Sequence, residues 1–301
     1  MGYSPSKFFE MKATLITILS LCIGIVVLQS QQVRIVNMMP NAQSNETNQD
    51  SEPNLAINPA NPNQMVGSAF TPNLVGSTNA PIYVSVNGGQ TWLLNSIVPS
   101  QSATTGTGDI TNRFGTTSNW LYTGILRRPT AAGASTTMDI LRTNNFLGAT
   151  AMQQLSTRNS PDQPYVQAAT VQSGAGIGAD RLYIGNNDLG VSGSQTATID
   201  QSLDATVGTP VIGANVIERR TPLNQDGPPI RVAIHSDGTI YGVYIQRTAS
   251  SGTIRTANVV VVRDNNWGSG SSPYSALTDP GDSFAGRNVV TGIQFPFGPL
   301  L

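Results

Sequence analysis

Four turn-forming residues, Asn87, Asn145, Asp204 and Asp264, stand 58, 59 and 60 residues apart, and that interval constrains the fold more than anything else in the chain. Self-similarity at a fixed spacing marks a repeat architecture, in which each unit leaves an apolar face that only its neighbour covers. The fullest copy is SVNGGQTW, Ser85 to Trp92. RTNNF offers Thr143 and Asn145, QSLDAT offers Ser202, Asp204 and Thr206, and VVRDNNWG offers Asp264 with Trp267 close by. The residue types suit one structural job. An Asn or Asp side chain bonds backbone N–H groups two residues on, Gly89 supplies positive φ, and Trp92 anchors the hairpin on its sheet. Ser85 and Thr91 are the small hydroxyls of the same template.

A second series runs through the chain. Glu52, Asp109, Asp162 and Asp226 precede the alternating stretches SEPNLAINP, GDITNRFG, PDQPYVQAAT and QDGPPIRVAIH, at steps of 57, 53 and 64 residues. Between the two series lie NQMVGSAF, NWLYTGIL, DRLYIGNND and GTIYGVYIQ, each with a strand's period-2 pattern. One unit therefore reads strand, strand, strand, turn, strand. The fold predicted is all-β, a β-propeller of four-stranded antiparallel blades, each stacked on the next to bury an apolar layer.

Composition agrees with this. Charged residues make up 11% of the chain, against roughly a quarter in an average domain, while Gly and Pro number 30 and 19. A net charge of −1 without a basic block leaves nothing to neutralise phosphates, which excludes nucleic acid as a partner. The one cysteine, Cys22, lies in the apolar run Ala13 to Leu28, so a mature chain has no disulfide, thiolate nucleophile or cysteine-ligated metal. His235, the sole histidine, sits in AIHSDGTIYG and reads as part of a hairpin with an Asp-Gly turn. Asn186 to Asp188 is oxygen-rich but has no ligand spacing, and neither a metal nor a cofactor is expected.

SVNGGQTW resembles the Asp box, S-x-D-x-G-x-T-W, of the sialidase and BNR-repeat propellers, with Asn87 where that motif most often has Asp. The resemblance covers Ser51 to Asn266. Such propellers have six blades, so it implies that this chain contains about four and a fraction. Asp282 falls 56 residues after Asp226, and DSFAGRNVVTGIQF then reads as the first strand of a fifth unit. The domain expected over residues 51–301 is thus a propeller incomplete at its C-terminus, with the apolar IQFPFGPLL lacking partner strands. In the alternative, Gln31 to Met39, within a linker at 31–50, supplies the outer strand of the last blade and closes a smaller ring.

The N-terminal 30 residues have the charge-then-apolar order of a secretory signal, with Lys7 and Lys12 ahead of the apolar run. Leu28 stands where a small residue is preferred before a cut after Ser30, so an uncleaved anchor is the second reading and the only membrane attachment expected. The protein is read as secreted or held at the cell surface.

In a propeller the first strand of each blade starts near a central funnel, which places Glu52, Asp109, Asp162 and Asp226 around its mouth. Clustered carboxylates push their pKa values apart and serve as acid and base in glycoside cleavage, so Asp109, Asp162 and Asp226 are the catalytic candidates. Glu52, Arg142 and Arg231 are the binding candidates, with Arg142 and Arg231 as strand arginines able to face the funnel. The bland alternative is that each acid caps a strand entrance, helped by Pro53, Pro164 and Pro228. The resemblance also implies an arginine triad, a Tyr-Glu nucleophile pair and an acidic acid/base. The Arg-Ile-Pro motif of that triad is absent, since Arg34 stands in RIV and Arg127 in RRP, and no residue role is carried over. Three readings follow: an exported glycoside hydrolase acting on terminal sugars of extracellular glycans, a non-catalytic propeller binding a glycan or glycoprotein on its funnel face, and a surface scaffold.

Overall fold

A computed structural model describes residues 33–44, 52–71, 79–99, 107–127, 137–190, 196–218 and 230–296. The chain divides into Met1–Val36 and Asn37–Leu301, and the fold is that of the second unit. The signal segment and Asp226 lie outside the described residues.

Alternation of apolar and polar residues, punctuated by Gly, Asn and Asp, gives the described residues sixteen strands in four antiparallel sheets. The first blade is β1 (Asn54–Ile57), β2 (Met65–Ser68), β3 (Asn79–Ser85) and β4 (Leu93–Pro99). The second is β5 (Ile110–Phe114), β6 (Leu121–Arg127), β7 (Thr137–Thr143) and β8 (Gln153–Asn159). The third is β9 (Pro161–Thr170), β10 (Asp180–Asp188), β11 (Thr196–Ser202) and β12 (Gly213–Val216). The fourth is β13 (Arg231–Ile234), β14 (Ile240–Ser251), β15 (Ile254–Asp264) and β16 (Arg287–Pro296). Strand order within each sheet follows the chain, and the first strands β1, β5, β9 and β13 pack one against the next. Up-and-down sheets joined through their first strands are the blades of a β-propeller. The stretches between the two series, NQMVGSAF, NWLYTGIL, DRLYIGNND and GTIYGVYIQ, fall on β2, β6, β10 and β14.

Three apolar layers separate the four blades. Ala56, Val66, Ile82 and Ile97 meet Ile110, Phe114, Leu121 and Leu141 between the first two, where Phe114 and Phe146 pack edge to face at 5.2 Å. Tyr122, Met138 and Ile140 meet Val166, Leu182 and Ile184 between the second and third. Tyr183, Ile199 and Ile217 meet Ile230, Val232, Ile240, Val260 and Val262 between the third and fourth. Each fully buried Leu, Ile or Phe contributes about 1.5–3 kcal/mol, so these layers dominate the stability of the stack.

The turn positions Asn87, Asn145, Asp204 and Asp264 all lie at the connection from third to fourth strand. In the first, Ser85 Oγ donates to Asn87 Oδ1 at 3.0 Å and accepts from Gly89 N at 2.9 Å. Asn87 Oδ1 accepts from Thr91 N, Asn87 Nδ2 donates to Thr91 Oγ1 at 2.8 Å, and the Trp92 indole donates to Gly89 O at 3.0 Å. Asp264 does the same with other partners, accepting from Asn266 N, Gly268 N and Tyr274 N. These turns also join the blades. Asn95 donates to Phe146 O and Gly148 O, Arg142 to Ala205 O and Gly208 O, and Gln201 to Gly268 O, each reaching the third-to-fourth turn of the following blade.

The end of the chain differs from expectation. Arg287–Pro296 pairs with β15 as the fourth strand of the fourth blade and does not open a fifth. The connection before it, residues 265–286, is long enough to carry the acidic-then-strand signal that mimics a new unit. Residues 33–39 form no strand, and the outer strand of the fourth blade is β16. A short helix, α1 (Asn41–Ser44), and the residues just before it lie on the first blade. Gln43 bonds Trp92 O and Leu94 N, and Met38 fills the space above Gly67.

Candidate functional site

The entrances of all four first strands converge on one cavity of about 300 Å3. The first blade supplies Glu52, Pro53 and Asn54, the second Asp109, Ile110 and Thr111, the third Gln163, Pro164 and Tyr165, and the fourth Arg231. Hydrogen bonds between neighbouring blades fix this ring. Asn54 Oδ1 accepts from Asn112 N at 2.8 Å, while Thr111 Oγ1 donates to Pro164 O at 3.1 Å and accepts from Val166 N at 3.0 Å. Two lining residues are strained. Glu52 and Gln163 have φ of 53° and 51°, and each precedes a proline, which disfavours the right-handed helical region for the residue before it.

Arg231 sits at the centre of the electrostatics. Its guanidinium carbon lies 4.9 Å from the centroid of the Tyr165 ring. Burial pulls its pKa below the usual arginine value, and Tyr165, Glu52 and Asp109 oppose that shift. A guanidinium stays charged when buried, and the acidic and aromatic groups around it compensate for lost water. Its Nη1 is buried without a hydrogen-bond partner among the described residues. The cavity therefore has a cation, an aromatic face, two carboxylates and two carboxamides. Hydrogen-bonding groups of both kinds flank an apolar surface, which suits a hydroxylated ring, and two carboxylates give the mouth potential proton donors and acceptors.

Three of the sequence candidates meet here: Glu52, Asp109 and Arg231. Asp162 is the residue before Gln163 and does not line the cavity. It accepts from Gln163 N at 3.0 Å, and burial raises its pKa against that bond. Arg142 is elsewhere, on the third strand of its blade. It is 3% exposed, its guanidinium carbon is 4.7 Å from the Trp120 ring centroid, and its donors are taken by Gln153 of its own blade and by the turn of the next. Tyr165 and Gln163 were not among the candidates from sequence. The signal available was their place in the first strand, directly after the acid of the second series.

Other charged groups pin structure. Arg158 of β8 ion-pairs with Asp188 and Asp200 of the third blade and bonds Asn186, and Asp139 is held by Arg127 and Thr157. Among the described residues no helix is long and apolar enough to cross a membrane.

No family model and no curated protein sequence matches the chain. Among solved structures it is similar to a thermostable family-43 glycoside hydrolase, at 13% identity over 72% of this chain and 69% of that one, with a TM-score of 0.40. A likeness at that level fixes neither activity nor substrate.

Proposed function

We propose that the protein is a glycan-acting propeller that takes a terminal sugar into the funnel-mouth cavity, with Arg231 and Tyr165 positioning it and Glu52 and Asp109 as acid and base. The observation that carries this reading is the convergence of both carboxylates, the arginine and the tyrosine from four separate blades on one mouth. Single-blade features do not assemble such a set. The reading extends to a sialidase-like, Asp-box member of the propeller class, supported by the bonds of the Ser85–Trp92 turn, and to export, supported by the apolar run Ala13 to Leu28.

Hydrolysis of a panel of aryl glycosides that includes a sialoside tests it. Asp109→Asn and Glu52→Gln are each expected to lower turnover by about 10²-fold or more, as removal of a general acid or base does, without loss of fold. A second reading, a funnel that binds a glycan without cleaving it, is favoured by the absence of the Arg-Ile-Pro motif, since Arg34 stands in RIV and Arg127 in RRP. Glycan binding lost in Arg231→Ala, with no turnover of any substrate, selects that second reading. Absence of both binding and turnover rejects the two together.

A further inference from the structure

The far ends of β9 and β13, with the turn after β5, line a second cavity, of about 280 Å3, that plays no part in the funnel reading. β9 spans the distance between them, presenting Gln163–Tyr165 to the mouth and Gln167–Thr170 to this lower chamber. First-to-second-strand turns supply Thr116, Gln172 and His235, and the last third-to-fourth turn supplies Trp267.

Trp267 is held in an unusual way. Its φ is 55°, a left-handed conformation that a bulky aromatic residue adopts only when its surroundings impose it. Two bonds impose it here. Trp267 N donates to Gly238 O at 2.9 Å, and Trp267 O accepts from the Tyr183 hydroxyl at 2.9 Å. Gly238 also makes room, since a Cβ there would lie 2.4 Å from the indole nitrogen. Backbone and glycine together fix one indole position at the edge of the chamber.

The polar groups around it are fixed or open in a complementary pattern. Gln172 donates through Nε2 to Thr170 O at 2.9 Å, which leaves its Oε1 as an acceptor. The Gln167 carboxamide bonds no described residue. His235 pairs through Nδ1 with Asp237 at the rim, at 2.9 Å. Among the described residues no Asp, Glu, Lys or Arg lines the chamber, which suits a neutral ligand.

We propose that this chamber is a binding site for a neutral sugar ring, stacked on the Trp267 indole and hydrogen-bonded by Gln167 and Gln172. An aromatic face accepts the C–H side of a pyranose, and carboxamides offer a donor and an acceptor to adjacent hydroxyls. The inference stands apart from the funnel and survives if the funnel is inert.

Titration of the full chain with neutral methyl pyranosides of glucose, galactose, mannose and N-acetylglucosamine, read by indole fluorescence and by saturation-transfer NMR, tests it. At least one is expected to bind, with affinity falling about tenfold or more in Trp267→Ala and several-fold in Gln167→Leu. Circular dichroism of each variant confirms the fold, and Gln167→Leu keeps the test informative should Trp267→Ala unfold. Binding of none of the four sugars overturns the proposal. So does binding that survives both Trp267→Ala and Gln167→Leu, and so does binding lost only in Arg231→Ala, which assigns the ligand to the funnel.

Discussion

At the scale of single residues, a few polar side chains fix the turns and the chemistry of the mouth. Ser85 is buried, and its Oγ serves both Asn87 and Gly89. Ser85→Ala leaves the part-buried Gly89 N–H without its acceptor, and the expected cost is about 1 kcal/mol in a denaturant titration. Asn87→Asp is expected to stay near wild type, because a carboxylate still accepts from Ser85 Oγ and Thr91 N. Asp162 makes a prediction in pH. Its folded pKa is raised by burial, so the folded chain holds a proton that the unfolded chain has lost, and stability falls as pH rises from the usual carboxylate value through the raised one. Asp162→Asn removes that loss and keeps the acceptor for Gln163 N. The variant is expected to be more stable than wild type at pH 7 and indistinguishable from it at pH 3. A variant less stable at pH 7 would show that the ionised carboxylate has a partner worth more than its burial costs.

At the scale of strands and blades, the repeat is held by contacts that each blade makes with the next. Tyr122 is fully buried in the second blade, and its hydroxyl donates to Asp180 of the third at 2.7 Å. The same Asp180 oxygen accepts from Ser118, and its other oxygen accepts from Thr170 at 2.6 Å. Tyr122→Phe is expected to cost about 1.5–3 kcal/mol, the range for a hydrogen bond to a charged group, measured by equilibrium unfolding. Gly185 gives a harsher case, because a Cβ there would meet the Ile230 carbonyl oxygen at 2.2 Å, across the junction of third and fourth blades. Gly185→Ala is expected to destabilise by about 3 kcal/mol or more, since backbone cannot rotate away as a side chain can. This scale also separates what the sequence reveals from what it hides. Turn residues act locally, so Asn87, Asn145, Asp204 and Asp264 are legible from spacing alone. Strand pairing is not local. Nothing within Arg287–Pro296 says that it returns to β15 across a 22-residue connection, 265–286, in place of starting a new sheet. Arg142 shows the same gap, since a strand arginine reads alike whether it points to a funnel or to a neighbour's carbonyls. Glu52, Asp109 and Arg231 were legible because an entrance position repeats with the blade, while Tyr165, the fifth residue of β9, is marked only by its place after the acid Asp162.

At the scale of the whole propeller unit, the three buried layers leave two outward faces, and the chain treats them differently. On the first blade Met38, Gln43 and α1 cover Gly67 and the edge near Trp92. On the fourth, Tyr241, Val243 and Val290 are 41%, 40% and 45% exposed. Strand register makes this face the counterpart of buried ones. Val243 pairs with Val261 as Tyr122 pairs with Arg142 and Tyr183 with Gln201, and both tyrosines are fully buried against the following blade. Where Arg142 and Gln201 reach the next turn, Val261 has no polar group to offer. A row of exposed β-branched residues on a sheet face is a site of non-specific association. Val243→Lys is therefore expected to reduce concentration-dependent light scattering while changing unfolding free energy by no more than about 0.5 kcal/mol, as a surface substitution does. Lysine at Tyr183, the same position one blade earlier, is expected to prevent folding, because the charge would enter a closed apolar layer. Equal damage from both changes would mean that the fourth face is covered in solution as the third is, and the stack would then continue beyond the blade that β16 completes.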